Sequence, residues 1–130
     1  MDYIDAEEFL KQPRAIQKTF EKWWTDNLQQ SDLVKLKLAR NKEKIQIIAN
    51  IDLACTEEGE IIPLLTEGQL RKFIEDKTCG ISSMYNKCNN IAINIYNNNS
   101  PIFVKKYENL GSDLLQAYWK VALEIAKEEN

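Results

Sequence analysis

The spacing of apolar side chains changes period several times along the chain, and each change predicts a different element. Ile16, Phe20 and Trp23 recur every three to four residues, which predicts an amphipathic helix over residues 13–29. A short helical turn is expected before it, over residues 5–10. The chain therefore begins with helical structure that has one large aromatic face.

Two segments that follow have a two-residue period, which is typical of strands. Over residues 33–39 apolar side chains alternate with Lys35 and Lys37, and over residues 45–51 isoleucine and alanine alternate with polar residues. A turn over residues 40–43 would join the two segments. We interpret this region as a β-hairpin.

The sharpest local signal is a helix start at Thr66. Thr66 can cap the helix, and Gln69, three residues later, completes a capping box. Residues 61–64 before it are expected to be extended, since the residue before a proline disfavours the helical region. Gly80 is expected to follow the end of this helix, because glycine is the usual residue after a C-cap.

The last third of the chain predicts strands followed by a helix. Residues 91–96 alternate isoleucine with other residues, and residues 102–107 are expected to return antiparallel to them after a turn. Residues 82–85 could supply a third strand. Ser112 is the expected N-cap of the final helix.

The order of these elements is helix, hairpin, helix, strands, helix, which predicts an α+β fold. A length of 130 residues suits one domain. We therefore expect a single domain over residues 1–130, with antiparallel hairpins packed against about three helices.

The amino-acid composition argues against most kinds of catalytic mechanism. The chain has no histidine, which is the usual general base, triad member and metal ligand. Its three cysteines, Cys55, Cys79 and Cys88, form no C-x-x-C pair and are interpreted as free thiols in a reducing compartment. We therefore expect no enzyme activity, no catalytic residues, no metal ligands and no cofactor.

Net charge and hydropathy limit the classes of partner that the sequence predicts. The net charge of −3 argues against a nucleic-acid binder, because such binding depends on many contacts from lysine and arginine to phosphate. No apolar run reaches the roughly 18 residues that a membrane span needs, and the start lacks the pattern of a signal peptide. These observations predict a cytoplasmic protein with no membrane partner. A homo-oligomer is left open.

The uneven distribution of charge marks one candidate partner surface. The predicted hairpin is rich in cations, and an adjacent helix could add an exposed aromatic ring. The candidate partner-binding residues are Lys35, Lys37, Arg40, Lys42, Lys44 and Trp24. The alternative is a solvated strand face whose lysines prevent edge pairing, together with a tryptophan that belongs to the core. The acidic residues 52–60 are interpreted as a solvated loop, because they lack the ligand spacing of a calcium loop.

Three segments together resemble small proteins encoded by phages and prophages of Gram-positive bacteria. They are residues 13–24, residues 61–77 (IIPLLTEGQLRKFIEDK) and residues 109–120 (NLGSDLLQAYWK). The resemblance covers about half of the chain and is weakest over residues 29–60 and 84–107. It implies a bacterial host cell as the setting. It supplies no activity, so no catalytic residue can be carried over.

Three functional hypotheses follow. The first is a phage accessory protein that binds a host or phage protein and modulates or inhibits it, with a defence-system component as one candidate target, in the manner of an anti-CRISPR or other anti-defence protein. The second is a nucleotide or small-molecule sponge, with Tyr85, Tyr96 and Tyr107 stacking and lysines binding phosphate. The third is a metal-dependent enzyme that uses carboxylates alone.

Overall fold

The structure, a computed structural model, describes residues 2–27, 33–38, 42–47, 60–97 and 103–129. This part of the chain contains four helices and two three-stranded antiparallel sheets, which confirms the predicted α+β class. The chain divides into two compact units. The N-terminal unit is Asp5–Leu65, and the C-terminal unit is Thr66–Asn130 together with Met1–Ile4. The expectation of a single domain over residues 1–130 stays a prediction.

The N-terminal unit consists of two helices and one sheet. Its elements are α1 (Ala6–Leu10), α2 (Arg14–Asp26), β1 (Leu33–Leu38), β2 (Lys42–Ile47) and β3 (Glu60–Pro63). The strand order is β2-β1-β3, and both pairings are antiparallel. Pro63 lies on an edge strand, where a residue without an N–H costs no ladder hydrogen bond.

A buried glutamine joins α1 to α2. The Gln17 side-chain amide donates to the backbone oxygens of Leu10, at 3.1 Å, and Gln12, at 2.8 Å. Phe9 and Phe20 pack edge to face beside it, with ring centroids 6.3 Å apart. The amide thus satisfies carbonyls that the end of α1 leaves free, while the rings bury the apolar face that the sequence pattern predicts.

The C-terminal unit has a sheet and two longer helices. Its elements are α3 (Glu67–Thr78), β4 (Gly80–Lys87), β5 (Asn90–Asn97), β6 (Phe103–Tyr107) and α4 (Leu114–Glu128). The strand order is β4-β5-β6, again antiparallel. The strand predicted from residues 82–85 is therefore present as β4.

One face of this sheet is covered by the helices, and we call it the inner face. Ile91, Ile93 and Ile95 of β5 are buried on it. Ser82 pairs with Ile95, so its side chain lies on the same face, and its hydroxyl donates to a carboxylate oxygen of Glu75 on α3 at 3.4 Å, which places α3 beside this face. Lys105 on β6 pairs with Glu128 on α4, which places α4 there too.

Helix caps agree with the sequence at one helix and differ at another. The capping box is confirmed at α3: the Thr66 N–H donates to Gln69 Oε1 at 3.0 Å, and the Gln69 N–H donates to Thr66 Oγ1 at 3.3 Å. At α4 the expectation of Ser112 was wrong by one position. Asp113 is the N-cap, and its Oδ1 accepts from the Gln116 N–H at 3.1 Å. Aspartate is as good a cap as serine, so two adjacent candidates compete for the position.

Two predicted boundaries also change. β2 begins at Lys42, within the turn predicted over residues 40–43, and residues 39–41 lie outside the described part. The left-handed residue after α3 is Cys79, with φ of 53°, and Gly80 begins β4. Residues 51–59, which contain most of the acidic segment and Cys55, lie outside the described residues.

Candidate functional site

The cations of the hairpin are divided between two faces of the N-terminal sheet. Lys35 pairs with Ile45, and Lys37 pairs with Glu43, whereas Lys42 and Lys44 pair with leucines of β1. Paired residues lie on the same face of an antiparallel sheet, and successive residues lie on opposite faces. The register therefore places two lysines on each face. Arg40 lies outside the described residues.

Trp24 is not the exposed aromatic that was predicted beside the hairpin. It is only 4% exposed, and Trp23, its neighbour in α2, is buried as well. Adjacent residues on a helix point about 100° apart, so the apolar face of α2 is wide enough to bury both rings. The core interpretation of Trp24 describes its position, and its assignment to the partner surface is corrected.

A cavity in the C-terminal unit, of about 530 Å³, is unsuited to an anion. The starts of α3 and α4 meet at it, and its charged lining residues are all acidic: Asp2, Glu67 and Asp113. The side chains of Thr66 and Asp113 already occupy backbone N–H groups at the two helix starts. Within the described ranges, no group of three or more cysteine, aspartate or glutamate side chains could hold a metal ion.

The face of the C-terminal sheet that α3 and α4 leave uncovered is the candidate site, and we call it the outer face. Register places residues of three strands there, because Ile81 pairs with Tyr96, Ser83 with Asn94, and Tyr85 with Ala92. Lys106 of β6 pairs with Asn94 on the other side. Ile81 is 51% exposed, and the two tyrosines are half-buried. The face thus combines an exposed aliphatic residue, two half-buried rings and a cation around a central strand on which Ala92 and Asn94 are buried.

A shared carboxylate organises the charges at one end of the outer face. Glu108 forms ion pairs with Lys106 at 3.1 Å and with Lys87 at 3.2 Å. Its hydrogen bond from Lys106, and then that from Lys87, hold the pKa of Glu108 below its ordinary value. The hydrogen bond to Glu108 raises the pKa of Lys106, and Tyr85 adds to this effect. Two cations share one anion, so this end of the face carries one positive charge in excess.

An unsatisfied polar atom lies at the centre of the outer face. Asn94 is only 6% exposed, and its Oδ1 is buried without a hydrogen-bond partner. A buried acceptor without a donor costs about 1–3 kcal/mol of folding free energy, so such groups are few in native proteins. Among the described residues, Trp24 Nε1 and Tyr107 Oη are also buried and unpaired, and Asn94 is the one that lies on the outer face. Ser83 and Lys106, which pair with Asn94 on its two sides, are exposed, so their side chains would have to move aside before an incoming donor could reach this atom.

The three tyrosines of the sponge hypothesis do not converge. Tyr85 and Tyr96 belong to the outer face, whereas Tyr107 pairs with Ile93 and lies on the inner face. Burial is the main cause that raises the pKa of Tyr107. Alternation within each strand was readable from the sequence, but the strand order and register that unite Ile81, Tyr85 and Lys106 were not.

Comparison with protein-family models, with curated proteins and with solved structures finds no match to this chain. Among the described residues, every helix is too short or too polar to traverse a lipid bilayer.

Proposed function

We propose that this chain is a phage accessory protein that binds a host bacterial protein and modulates or inhibits it by contact, with a component of a bacterial defence system as one candidate target. The resemblance of its sequence to phage-encoded proteins supports the setting. The absence of histidine from the sequence supports contact rather than chemistry. We propose the outer face as the surface that meets the partner.

The observation that carries this proposal is the composition of the outer face around Asn94. Tyrosine is enriched where proteins bind each other, because a ring buries much area at little entropic cost and its hydroxyl can still form hydrogen bonds. Ile81 adds apolar area, and the buried Asn94 Oδ1 is an acceptor that a donor of the partner could satisfy. The excess positive charge beside Glu108 favours a partner surface that is apolar at its centre and acidic at its margin.

A nucleotide fits this face less well than a protein does. The cavity beside Lys87, Ala92 and Glu108 measures about 200 Å³. Small-molecule pockets typically measure about 300–1,000 Å³. Native mass spectrometry of protein purified from cells tests the alternative, since a retained nucleotide mass would support a sponge instead.

The hairpin cations supply the competing surface, and the register shows how to separate the two. The outer-face variant replaces two of its residues by glutamate, Ile81→Glu with Lys106→Glu, which adds one negative charge and reverses one positive charge. Two matched variants reverse two charges on one face of the hairpin each: Lys35→Glu with Lys37→Glu, and Lys42→Glu with Lys44→Glu. All three are compared with the unmodified chain by affinity purification from host cells followed by mass spectrometry.

We expect the outer-face variant to lose the captured host protein while both hairpin variants keep it. Circular dichroism of each variant shows whether the fold is retained. Loss of the host protein in a hairpin variant, with full retention in the outer-face variant, would transfer the site to the hairpin and contradict the outer face.

A further inference from the structure

The two edges of the C-terminal sheet differ in how they are protected. β6, at one edge, carries Lys105 and Lys106, and lysine is a common device against pairing with other chains. β4, at the other edge, spans Gly80–Lys87, contains no proline, and has its single charge at its last residue. Its Met84 is 40% exposed. An unprotected edge of this length is a template for another strand.

Hydrogen-bond alternation shows which groups of β4 point away from the sheet. The Ser82 N–H is taken by Glu75 rather than by β5. On the next strand, both backbone groups of Ile91 are bonded to residues 110 and 111, on the side away from β4. Since bonding alternates along an antiparallel ladder, the backbone groups of Ser82, Met84 and Asn86 point outward.

Glu75 divides the edge into a closed part and an open part. It occupies the outward N–H of Ser82, which is buried. From Ser83 to Lys87 the residues are exposed or half-buried, and within the described chain the outward N–H groups of Met84 and Asn86 have no partner. The open part is thus five residues long, with Tyr85 at its centre.

We propose that β4 pairs antiparallel with β4 of a second copy of this chain, about a two-fold axis at Tyr85. This register places Met84 opposite Asn86 of the second copy, so the free N–H and C=O groups of each satisfy those of the other in reciprocal pairs. Tyr85 faces Tyr85 of the second copy, and cross-strand aromatic pairs stabilise sheets. Lys87 lies opposite Ser83 of the second copy, so no like charges meet.

The pairing joins the C-terminal sheets of the two copies into one continuous six-stranded sheet, with the two β4 strands at its centre. It uses an edge of the sheet, and therefore does not depend on the partner assigned to the outer face. The dimer would present two outer faces side by side. The open part is short, so the association is expected to be weak and to depend on protein concentration.

Two double variants at the same positions test the register. Met84→Lys with Asn86→Lys sets lysine opposite lysine at every outward pair, whereas Met84→Lys with Asn86→Glu sets lysine opposite glutamate. Both positions are exposed, so each variant can fold as a monomer. Sedimentation velocity over a range of concentrations is expected to give dimer for the unmodified chain and the Lys/Glu variant, and monomer for the Lys/Lys variant.

Disulfide cross-linking tests whether the two-fold axis of the dimer lies at residue 85. In a background of Cys55→Ser, Cys79→Asn and Cys88→Asn, which keeps residues that tolerate the positive φ at 79 and 88, Y85C is compared with S83C. Facing positions in a non-hydrogen-bonded pair have Cα atoms about 4.5 Å apart, within disulfide reach. The two copies of residue 83 would be offset by four residues, roughly 13 Å.

We expect mild oxidation to cross-link Y85C and not S83C, as seen on a non-reducing gel. Equal cross-linking of both, or of S83C alone, would overturn the axis. A monomeric unmodified chain at every concentration, or a Lys/Lys variant that dimerises as well as the Lys/Glu variant, would overturn the pairing itself. Neither result bears on capture of a host protein by the outer face, so the two proposals fail separately.

Discussion

Gly80 shows how a single position is fixed by its surroundings. A Cβ at this residue would lie 2.5 Å from the backbone oxygen of Tyr96 and 2.8 Å from Cγ2 of Ile95. The backbone oxygen cannot move without disturbing the β4–β5 ladder. The sequence assigned this glycine to the end of a helix, whereas its physical role is close approach between two strands.

The substitution Gly80→Ala is therefore expected to destabilise the protein by about 1–3 kcal/mol through overpacking. Gly68→Ala is the matched control. Gly68 lies in the first turn of α3 with open space around it, so the change should stabilise by up to about 0.5–1 kcal/mol. Urea denaturation measures both, and a loss of stability in both variants would contradict the close-approach argument.

Asn94 allows stability and partner binding to be separated. Replacing it by valine removes a buried, unpaired acceptor and introduces a residue that suits strands, so Asn94→Val should raise the free energy of unfolding by about 1 kcal/mol. The same change at exposed Asn86 should stay within about 0.5 kcal/mol.

If Asn94 Oδ1 accepts a hydrogen bond from the partner, Asn94→Val will also weaken capture of the host protein while it stabilises the fold. Such opposite signs are the mark of a residue retained for binding rather than for folding. A destabilised Asn94→Val protein, measured by urea denaturation, would mean that the amide stabilises the sheet instead.

At the scale of elements, the sequence predicted what local chemistry determines. The Thr66–Gln69 capping box, the strand period of β5 and the helical period of α2 each depend on residues a few positions apart, and all three are present. The start of α4 was harder, because Ser112 and Asp113 have nearly equal preference for the cap. Only the backbone path decides between them.

The two cap candidates differ in their predicted cost. Asp113→Ala removes the acceptor of the Gln116 N–H and should cost about 1 kcal/mol of stability. Ser112→Ala should change stability by less than about 0.5 kcal/mol, because Ser112 is exposed and outside the cap. Thermal unfolding followed by circular dichroism distinguishes them, and the reverse order of effects would restore the original assignment.

Pairing between elements could not be read from the chain. Alternation correctly divides Lys35 and Lys37 from their apolar neighbours on β1, but it does not say which residues of β2 share their face. The observed register sets Lys35 beside Ile45 and Lys37 beside Glu43. A shift of one residue would move every β2 side chain to the other face. Whether the lysines of β1 and β2 share a face therefore depends on the pairing register, which cannot be read from either strand alone.

At the scale of the whole molecule, the same reasoning explains why the candidate site was missed. The outer face collects residues from three strands between positions 81 and 106, and no short motif contains them. Absence of histidine was readable from composition, whereas the location of a contact surface depends on strand order and on which sheet face the helices cover.

Cooperativity between the two units is the remaining prediction at this scale. The unit Asp5–Leu65 is close to the size at which a domain standing alone is marginally stable, so we expect it to unfold together with the rest of the chain. The tryptophans report on each unit separately, since Trp23 and Trp24 lie in one and Trp119 lies in the other.

Two variants isolate these signals: Trp119→Phe keeps only the N-terminal reporters, and Trp23→Phe with Trp24→Phe keeps only the C-terminal one. Each variant loses some buried ring area, which can lower its stability. The urea midpoint from tryptophan fluorescence is therefore compared with the midpoint from far-ultraviolet circular dichroism of the same variant. Agreement of the fluorescence and dichroism midpoints within both variants is the expected outcome for one cooperative domain. A fluorescence transition that precedes the dichroism transition in the Trp119→Phe protein would instead establish Asp5–Leu65 as a separately unfolding domain, and the prediction of one domain over residues 1–130 would be wrong.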